Sequence, residues 1–311
     1  MRGTIEHPDG IYFGLADEIY RADPALGSSD HKMLAVAPEA YWYGSHFNLA
    51  RPTDKDSAAR AMGRAVHAAA LEGNDAFRAR FVRRPDDLER LTAKERAILA
   101  PRGEAVLPGE QYDRASMAAK MIRTHPDLAN ALDNGYPEVS AFWTVEVDGH
   151  PVRCKARYDF LKPRAIVDLK SVNPQKKPLP FKALCIRDIR SYRYGVQAAE
   201  YLEGRARFAG FIRAGMVEGD PDPEWLDELR KADGFAFVWI FWASDGPPLV
   251  WSGAMSPGNP LLEDGKSIVE QARRNFVNFR DRFGTDAAWI DFEPLAELTH
   301  DDFEAAYGRH F

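Results

Sequence analysis

Cysteine is nearly missing from this chain: Cys154 and Cys185 are the only two in 311 residues. Two thiols cannot build a disulfide framework, and no Cys/His set has zinc-finger spacing, so a reducing cytoplasm is the expected compartment. Long apolar runs are missing as well. The longest, Phe235 to Ala243, is about half of what a membrane-spanning helix needs. The first residues, Met1 to Pro8, hold no apolar stretch of the signal-peptide kind. Neither secretion nor membrane insertion is expected. There is no internal repeat and no low-complexity tract. Hydrophobic residues make up 45% and aromatic residues 12%, which suffices to bury a full core and excludes a disordered or fibrous chain.

An overall positive charge is absent too. The chain carries 41 Lys and Arg against 47 Asp and Glu, a net −6, which argues at first against a nucleic-acid partner. The distribution reverses that argument. From Pro151 to Arg213, 15 basic residues stand against 5 acidic ones, a local +10, while the remainder of the chain is at −16. Basic character is therefore expected to gather into a surface of the kind that phosphates require.

What the sequence does contain is a charged strand. In Ile166-Val167-Asp168-Leu169-Lys170-Ser171-Val172, apolar residues alternate with Asp168 and Lys170. That pattern reads as a buried strand carrying two charges on one face, since side chains two apart point the same way. Upstream, Val152 to Phe160 alternates as well, and Leu161-Lys162-Pro163-Arg164 supplies a turn. A hairpin through that turn brings Asp159 near Asp168, so two carboxylates and a lysine converge as hard oxygen ligands for a divalent cation with an ammonium beside them. Glu138 to Val147 is a third strand, joined through Asp148-Gly149, a hairpin signal. The centre is thus a meander over 138–147, 151–160 and 165–172.

Around it the chain reads as helical. Residues 1 to 27 suggest an extended arm with a turn at Tyr20 to Pro24. Ser28-Ser29-Asp30 caps a short helix, and Pro38 starts a second one bearing Tyr41, Trp42 and Tyr43, an aromatic cluster read as packing. Ala61 to Glu72 forms a helix whose small residues favour close approach to a neighbour, with His67 on its apolar surface. Residues 75 to 135 are helical, with helices over Met117 to Ile122 and Asp127 to Leu132. Asn173 to Pro180 is a basic loop. Phe181 to Ile189 is a helix, and Tyr194 to Leu202 is another that puts Gln197 and Tyr201 on one face. A hairpin over 234–254 and a long amphipathic helix from Leu261 to Phe283 follow. The organisation expected is one compact domain: an arm and helical lead-in over 1–60, and a core over 61–311 with a helical insertion at about 75–135.

His67, Glu138, Asp159, Asp168-Leu169-Lys170, Gln197 and Tyr201, in that order, resemble the PD-(D/E)XK nuclease superfamily. Within it the likeness is to RecB/RecE-type exonucleases of the exonuclease VIII-like phage and prophage kind. Met62 to Glu72 is similar to that group's glycine-to-histidine helix, Gln197-Ala198-Ala199-Glu200-Tyr201 to its Gln-x-x-x-Tyr helix, and Ser28 to Tyr43 to its N-terminal helix pair. The likeness runs over about residues 20 to 290. It departs at Tyr158, where the family often has a proline or an arginine-rich strand before the first Asp.

The resemblance implies an α/β fold with a restriction-endonuclease-like core: a central mixed sheet with an antiparallel meander, flanked by helices, plus helical N-terminal additions. It implies that His67, Asp159, Asp168 and the Leu169 carbonyl bind Mg2+ or Mn2+. Lys170 would act on the attacking water, Gln197 and Tyr201 would hold the helix and a DNA phosphate, and Glu138 would be a further catalytic acid. The implied activity is metal-dependent exonucleolytic hydrolysis of duplex DNA with ends, yielding single strands for recombination. A single-strand annealing protein and further copies of the chain are the additional partners it admits. The alternative is a nuclease-fold DNA-binding or assembly module without turnover. A structural Asp-Lys pair at a strand end would account for Asp168 and Lys170, but not for His67, Gln197 and Tyr201.

Overall fold

The computed structural model describes residues 6–52, 57–88, 90–128, 130–174, 179–292, 295–297 and 299–301. The N-terminal stretch joins the sheet through β1 (Gly10–Tyr12), and the segment read as a turn at Tyr20 closes helix α1 (Asp17–Ala22) instead. The lead-in pair is α2 (Ser28–Leu34) and α3 (Pro38–Gly44), broken at the proline. Its cap lies one residue earlier than expected: Gly27 precedes α2, and its N–H donates to Asp30 Oδ2 at 2.8 Å. Tyr41 is buried, its ring edge-on to Phe276 and tilted against Trp289, as packing requires.

The histidine helix α4 (Ala58–His67) passes at His67 into a π-helical turn, Ala68–Glu72. There follow α5 (Asn74–Arg80), β2 (Phe81–Arg83), α6 (Ala93–Leu99), β3 (Ala105–Leu107) and α7 (Gly109–Thr124). The sequence reading missed the parallel β2–β3 pair, because three-residue strands are too short to show alternation. Where a helix was expected over Asp127 to Leu132, the described residues form only a 3-10 turn at Pro126–Leu128. Close approach of α4 rests on buried Ala65, Ala68, Ala69 and Ala70 facing the alanines of α7; Gly63 borders open space.

The meander is β4 (Tyr136–Val147), β5 (His150–Lys162) and β6 (Ala165–Val172). Its first turn has Asp148 at φ 51° and Gly149 at φ 80°, the two left-handed residues of a tight hairpin turn. Part of the expected basic loop after β6, residues 175–178, lies outside the described residues. Then come α8 (Phe181–Ser191), α9 (Tyr194–Ala206), α10 (Phe208–Arg213), β7 (Val217–Glu218), α11 (Pro223–Lys231), β8 (Ala236–Ala243), β9 (Val250–Met255) and α12 (Pro260–Phe283).

Among the described residues, seven strands form one sheet in the order β7-β1-β4-β5-β6-β8-β9. It is mixed: β6 and β8 run parallel, joined by the α8–α11 crossover, while the meander and the β8–β9 hairpin are antiparallel. One face packs on α2, α9 and α12, with Trp289 sealed beneath; the other packs on α4, the π turn, α5 and α7. The first layer is tight. A Cβ on Gly265 of α12 would stand 2.3 Å from the Gly195 carbonyl of α9, so glycine is required where these helices cross.

The basic strand residues do not form the expected phosphate surface. Alternation places Arg153, Lys155 and Arg157 on the sheet face covered by the N-terminal stretch. There Arg153 meets Asp23 at 3.3 Å, Lys155 donates to the Tyr20 and Asp23 carbonyls, and Arg157 reaches Asp17 and the Leu15 carbonyl. Arg205 is buried on the Pro163 and Leu229 carbonyls. Four of the segment's basic side chains are thus engaged internally. Arg187, Arg190 and Arg193, of α8 and the turn after it, line a surface hollow.

Candidate active site

The site forms where the meander switches faces. In β5, Val152, Cys154, Ala156 and Tyr158 point to the first core, yet so does Leu161, three residues on. Phe160 lies in the second core with Val167 and Leu169. The partner strand makes the same switch, with Val139, Ala141 and Trp143 on one side of it and Tyr136 on the other. The β4–β5 ladder omits the Glu138 and Asp159 step, and Glu138 sits at φ 53°, a left-handed conformation costing about 1–2 kcal/mol in a non-glycine residue. The two acids therefore project at the crossover rather than into either core.

His67, the last residue of α4, meets both acids: Nδ1 lies 3.4 Å from Glu138 Oε1 and Nε2 lies 3.6 Å from Asp159 Oδ2. One ligand atom from each of the three residues lies within 4.8 Å of the others, the one such grouping among the described residues. Burial pulls the His67 pKa down, but the Asp159 charge and the Glu138 hydrogen bond outweigh it and raise it to about 9. This pocket draws positive charge to itself.

Asp168 stands one peptide away and is fully buried. Gln197 Nε2 donates to its Oδ1 at 2.7 Å, and Lys170 Nζ lies 2.5 Å from its Oδ2. The Leu169 N–H donates to Asp159 Oδ2 at 2.8 Å, which ties the β6 backbone to the acid cluster. Burial raises the Asp168 pKa, Lys170 opposing and Asp159 adding to the rise. The resemblance implies Asp168 as a ligand beside His67 and Asp159. Glu138 joins His67 and Asp159 here, and Asp168 bonds Lys170 and Gln197, because β6 presents it to the α9 side of the sheet while His67 arrives from the α4 side.

Gln197 and Tyr201 share a face of α9 as expected, and both are buried. The Tyr201 ring packs on Tyr158 and Phe237, its carbonyl accepts from the Tyr158 hydroxyl at 3.1 Å, and its side chain hydrogen-bonds Gln197. Gln197 thus holds the Asp168 carboxylate, and Tyr201 holds Gln197. Two neighbours were missed. Lys170 Nζ lies 5.1 Å from the centre of the Tyr194 ring, and Lys32 of α2 lies 5.3 Å from the same ring. Burial, with the charge of Lys170 adding, pushes the Lys32 pKa down to about 8. Nothing local marks Lys32, since only the fold brings α2 against α9.

The donor set suits a hard divalent cation. Two carboxylates and an imidazole within 4.8 Å of one another are compatible with metal–ligand distances of about 2.0–2.6 Å. Asp168, whose buried Oδ2 is held by Lys170 Nζ at 2.5 Å, is tied to this cluster through the Leu169 N–H bond to Asp159. The backbone at Glu138 supplies a first test. At about pH 10, above the His67 pKa of about 9, Glu138→Gly is expected to raise the melting temperature, because about 1 kcal/mol of left-handed strain is relieved together with repulsion between two acids that a neutral imidazole no longer offsets. A lower melting temperature would show that Glu138 holds the strand pair instead.

A mixed sheet with this meander, helices on both faces and an acid–acid–lysine set at the crossover defines a restriction-endonuclease-like protein. A family model described as a PDDEXK-like domain of unknown function (DUF3799) matches residues 31–214. That is more than half of the chain, and the chain belongs to this family, within the PD-(D/E)XK superfamily. A crystal structure from Eubacterium rectale, named "Putative exonuclease", is similar over 94% of this chain and 99% of its own, with 17% identity and a TM-score of 0.53, a likeness of fold. The structure of SSO0001 covers 53% of this chain and 67% of its own at 12% identity, with a TM-score of 0.27, too low to carry an argument. A comparison with curated proteins found no match. No helix among the described residues is long and apolar enough to cross a membrane.

Proposed function

We propose that the protein is a metal-dependent deoxyribonuclease, an exonuclease that hydrolyses phosphodiester bonds from the ends of duplex DNA and yields single strands for recombination. The observation that carries this reading is the meeting of His67, Glu138 and Asp159 within 4.8 Å, one hydrogen bond away from the Asp168–Lys170 strand. In this reading His67, Glu138 and Asp159 hold Mg2+ or Mn2+, with Asp168 and the Leu169 carbonyl as further oxygens. The cation, when bound, supplies Lewis-acid stabilisation of the phosphate and of a water made acidic.

The side chains supply the rest. Lys170 places a positive charge where the attacking oxygen loses its proton and the phosphate gains charge. Gln197 fixes the Asp168 carboxylate so that it stays turned to Lys170, and Tyr201 fixes Gln197. His67, without its proton, offers a ring lone pair to the cation.

Two experiments test this. End-labelled linear duplex is expected to be degraded with Mg2+ and spared with EDTA, while closed circular duplex survives; cleavage of the circle would make the enzyme an endonuclease. Mn2+ at about 100 times its Kd is expected to stabilise the fold by about 2.7 kcal/mol, and Asp159→Asn to remove most of that gain. Mn2+ binding without cleavage of either DNA would favour the binding module without turnover.

A further inference from the structure

A cavity of about 930 Å3 opens beside the candidate site, between α8, the start of α9, β9 and the start of α12. It lies on the same sheet face as Asp168 and Lys170. Across the sheet Asp168 stands opposite Trp239 and then Gly253, while Lys170 stands opposite Phe241 and then Trp251, and paired residues share a face. Trp239, Trp251 and Gly253 line the cavity. A row of rings joins it to the site: the Tyr194 ring, 5.1 Å from Lys170 Nζ, is 6.3 Å from Phe241, which is 5.6 Å from Trp251. Gly253 makes room for the indole, since a Cβ there would stand 2.8 Å from the Trp251 ring.

The other wall carries charge. Arg187, Arg190 and Arg193 line it from the end of α8 and the turn that follows, against a single lining acid, Asp264. Arg187 is steadied by Asp188 at 2.6 Å. A cationic wall facing an aromatic one, in a volume at the upper end of the ligand-pocket range, suits a ligand that alternates phosphates with flat apolar rings.

We infer that this cavity binds a single-stranded segment of nucleic acid, its phosphates along the three arginines and a base against Trp251. The inference deepens the nuclease reading and rests on it. The arginine wall excludes a basic or purely apolar occupant, and the aromatic wall would gain nothing from a simple anion.

The test uses the full chain in EDTA, where no cleavage occurs, titrated with a fluorescent oligothymidylate and separately with a blunt-ended hairpin duplex. Trp251→Leu keeps an apolar cover on Phe241 but removes the stacking plane. Arg193→Asn removes one charge and tolerates the left-handed backbone at φ 50°. Each is expected to weaken oligothymidylate binding by about 10-fold while duplex binding changes by less than about twofold, and Arg193→Asn to flatten the salt dependence by about one unit of slope.

The inference is overturned if the wild type does not bind oligothymidylate, if both variants bind it as the wild type does, or if both lose duplex affinity equally. Should Trp251→Leu fail to fold, Arg193→Asn decides. A dimer in sedimentation that Trp251→Leu dissociates would make the cavity a self-association face and also overturn it. Cleavage assays with Mg2+ separate the two readings: inactivity alongside the expected binding losses would sink the nuclease and leave the groove, and activity with unaffected binding would do the opposite.

Discussion

Lys170→Met is expected to lower turnover by at least about 100-fold while Mn2+ binding and the melting temperature change little. The ammonium has no lone pair and cannot be a metal ligand. It lies 2.5 Å from Asp168 Oδ2, with its side chain 17% exposed, so it is placed to act on groups arriving from solvent. Methionine keeps the stem and removes only the charge. A buried carboxylate left without its cation would ordinarily destabilise the fold, but burial already raises the Asp168 pKa. Asp168 can therefore take up a proton, and Gln197 still donates to its Oδ1. Melting temperature, Mn2+ affinity and turnover measured on one preparation decide the matter. Turnover per folded molecule near the wild-type value would make Lys170 a structural partner of Asp168 and overturn the mechanism.

Glu200→Ala is expected to cost about 3–5 kcal/mol of stability, as when one partner of a buried pair is removed. Glu200 lies on α9 one turn beyond Gln197 and is fully buried with His31 of α2, whose Nδ1 is 3.1 Å from its Oε1. His31 Nε2 in turn faces the Nε–H of Arg273 on α12 at 3.4 Å, and Arg273 reaches Glu203 at 2.9 Å. One ionic cluster thus ties three helices into a single layer, where truncation strands the imidazole N–H and weakens the field that holds the guanidinium. The exposed pair Lys266–Glu263, at 2.8 Å, offers the contrast, since breaking it should cost about 0–1 kcal/mol. Chemical denaturation of Glu200→Ala, His31→Leu and the double variant measures the coupling. A double variant whose loss equals the sum of the two single losses would show that the pair contributes nothing beyond its separate packing.

Local pattern was enough to place the meander. Alternation specified β5 as far as Asp159 and β6, Asp148-Gly149 specified their hairpin partner, and the pattern of α9 and α12 specified helices whose faces the structure uses. The ordered set from His67 to Tyr201 was enough for the superfamily, because each member sits within an element that its own neighbours in sequence determine. Tertiary structure alone decided three other matters. Pairing of β1 with β4 brought Asp17 and Asp23 over the meander, so Arg153, Lys155 and Arg157 became internal ties; a count of charges cannot see across such a sequence separation. The β2–β3 pair has no alternation long enough to read. The face switch at Glu138 and Asp159 needs a left-handed residue inside a strand, which no propensity predicts for glutamate. That switch sends Glu138 rather than Asp168 to His67 and Asp159, since which carboxylates meet depends on the side of the sheet from which each helix arrives.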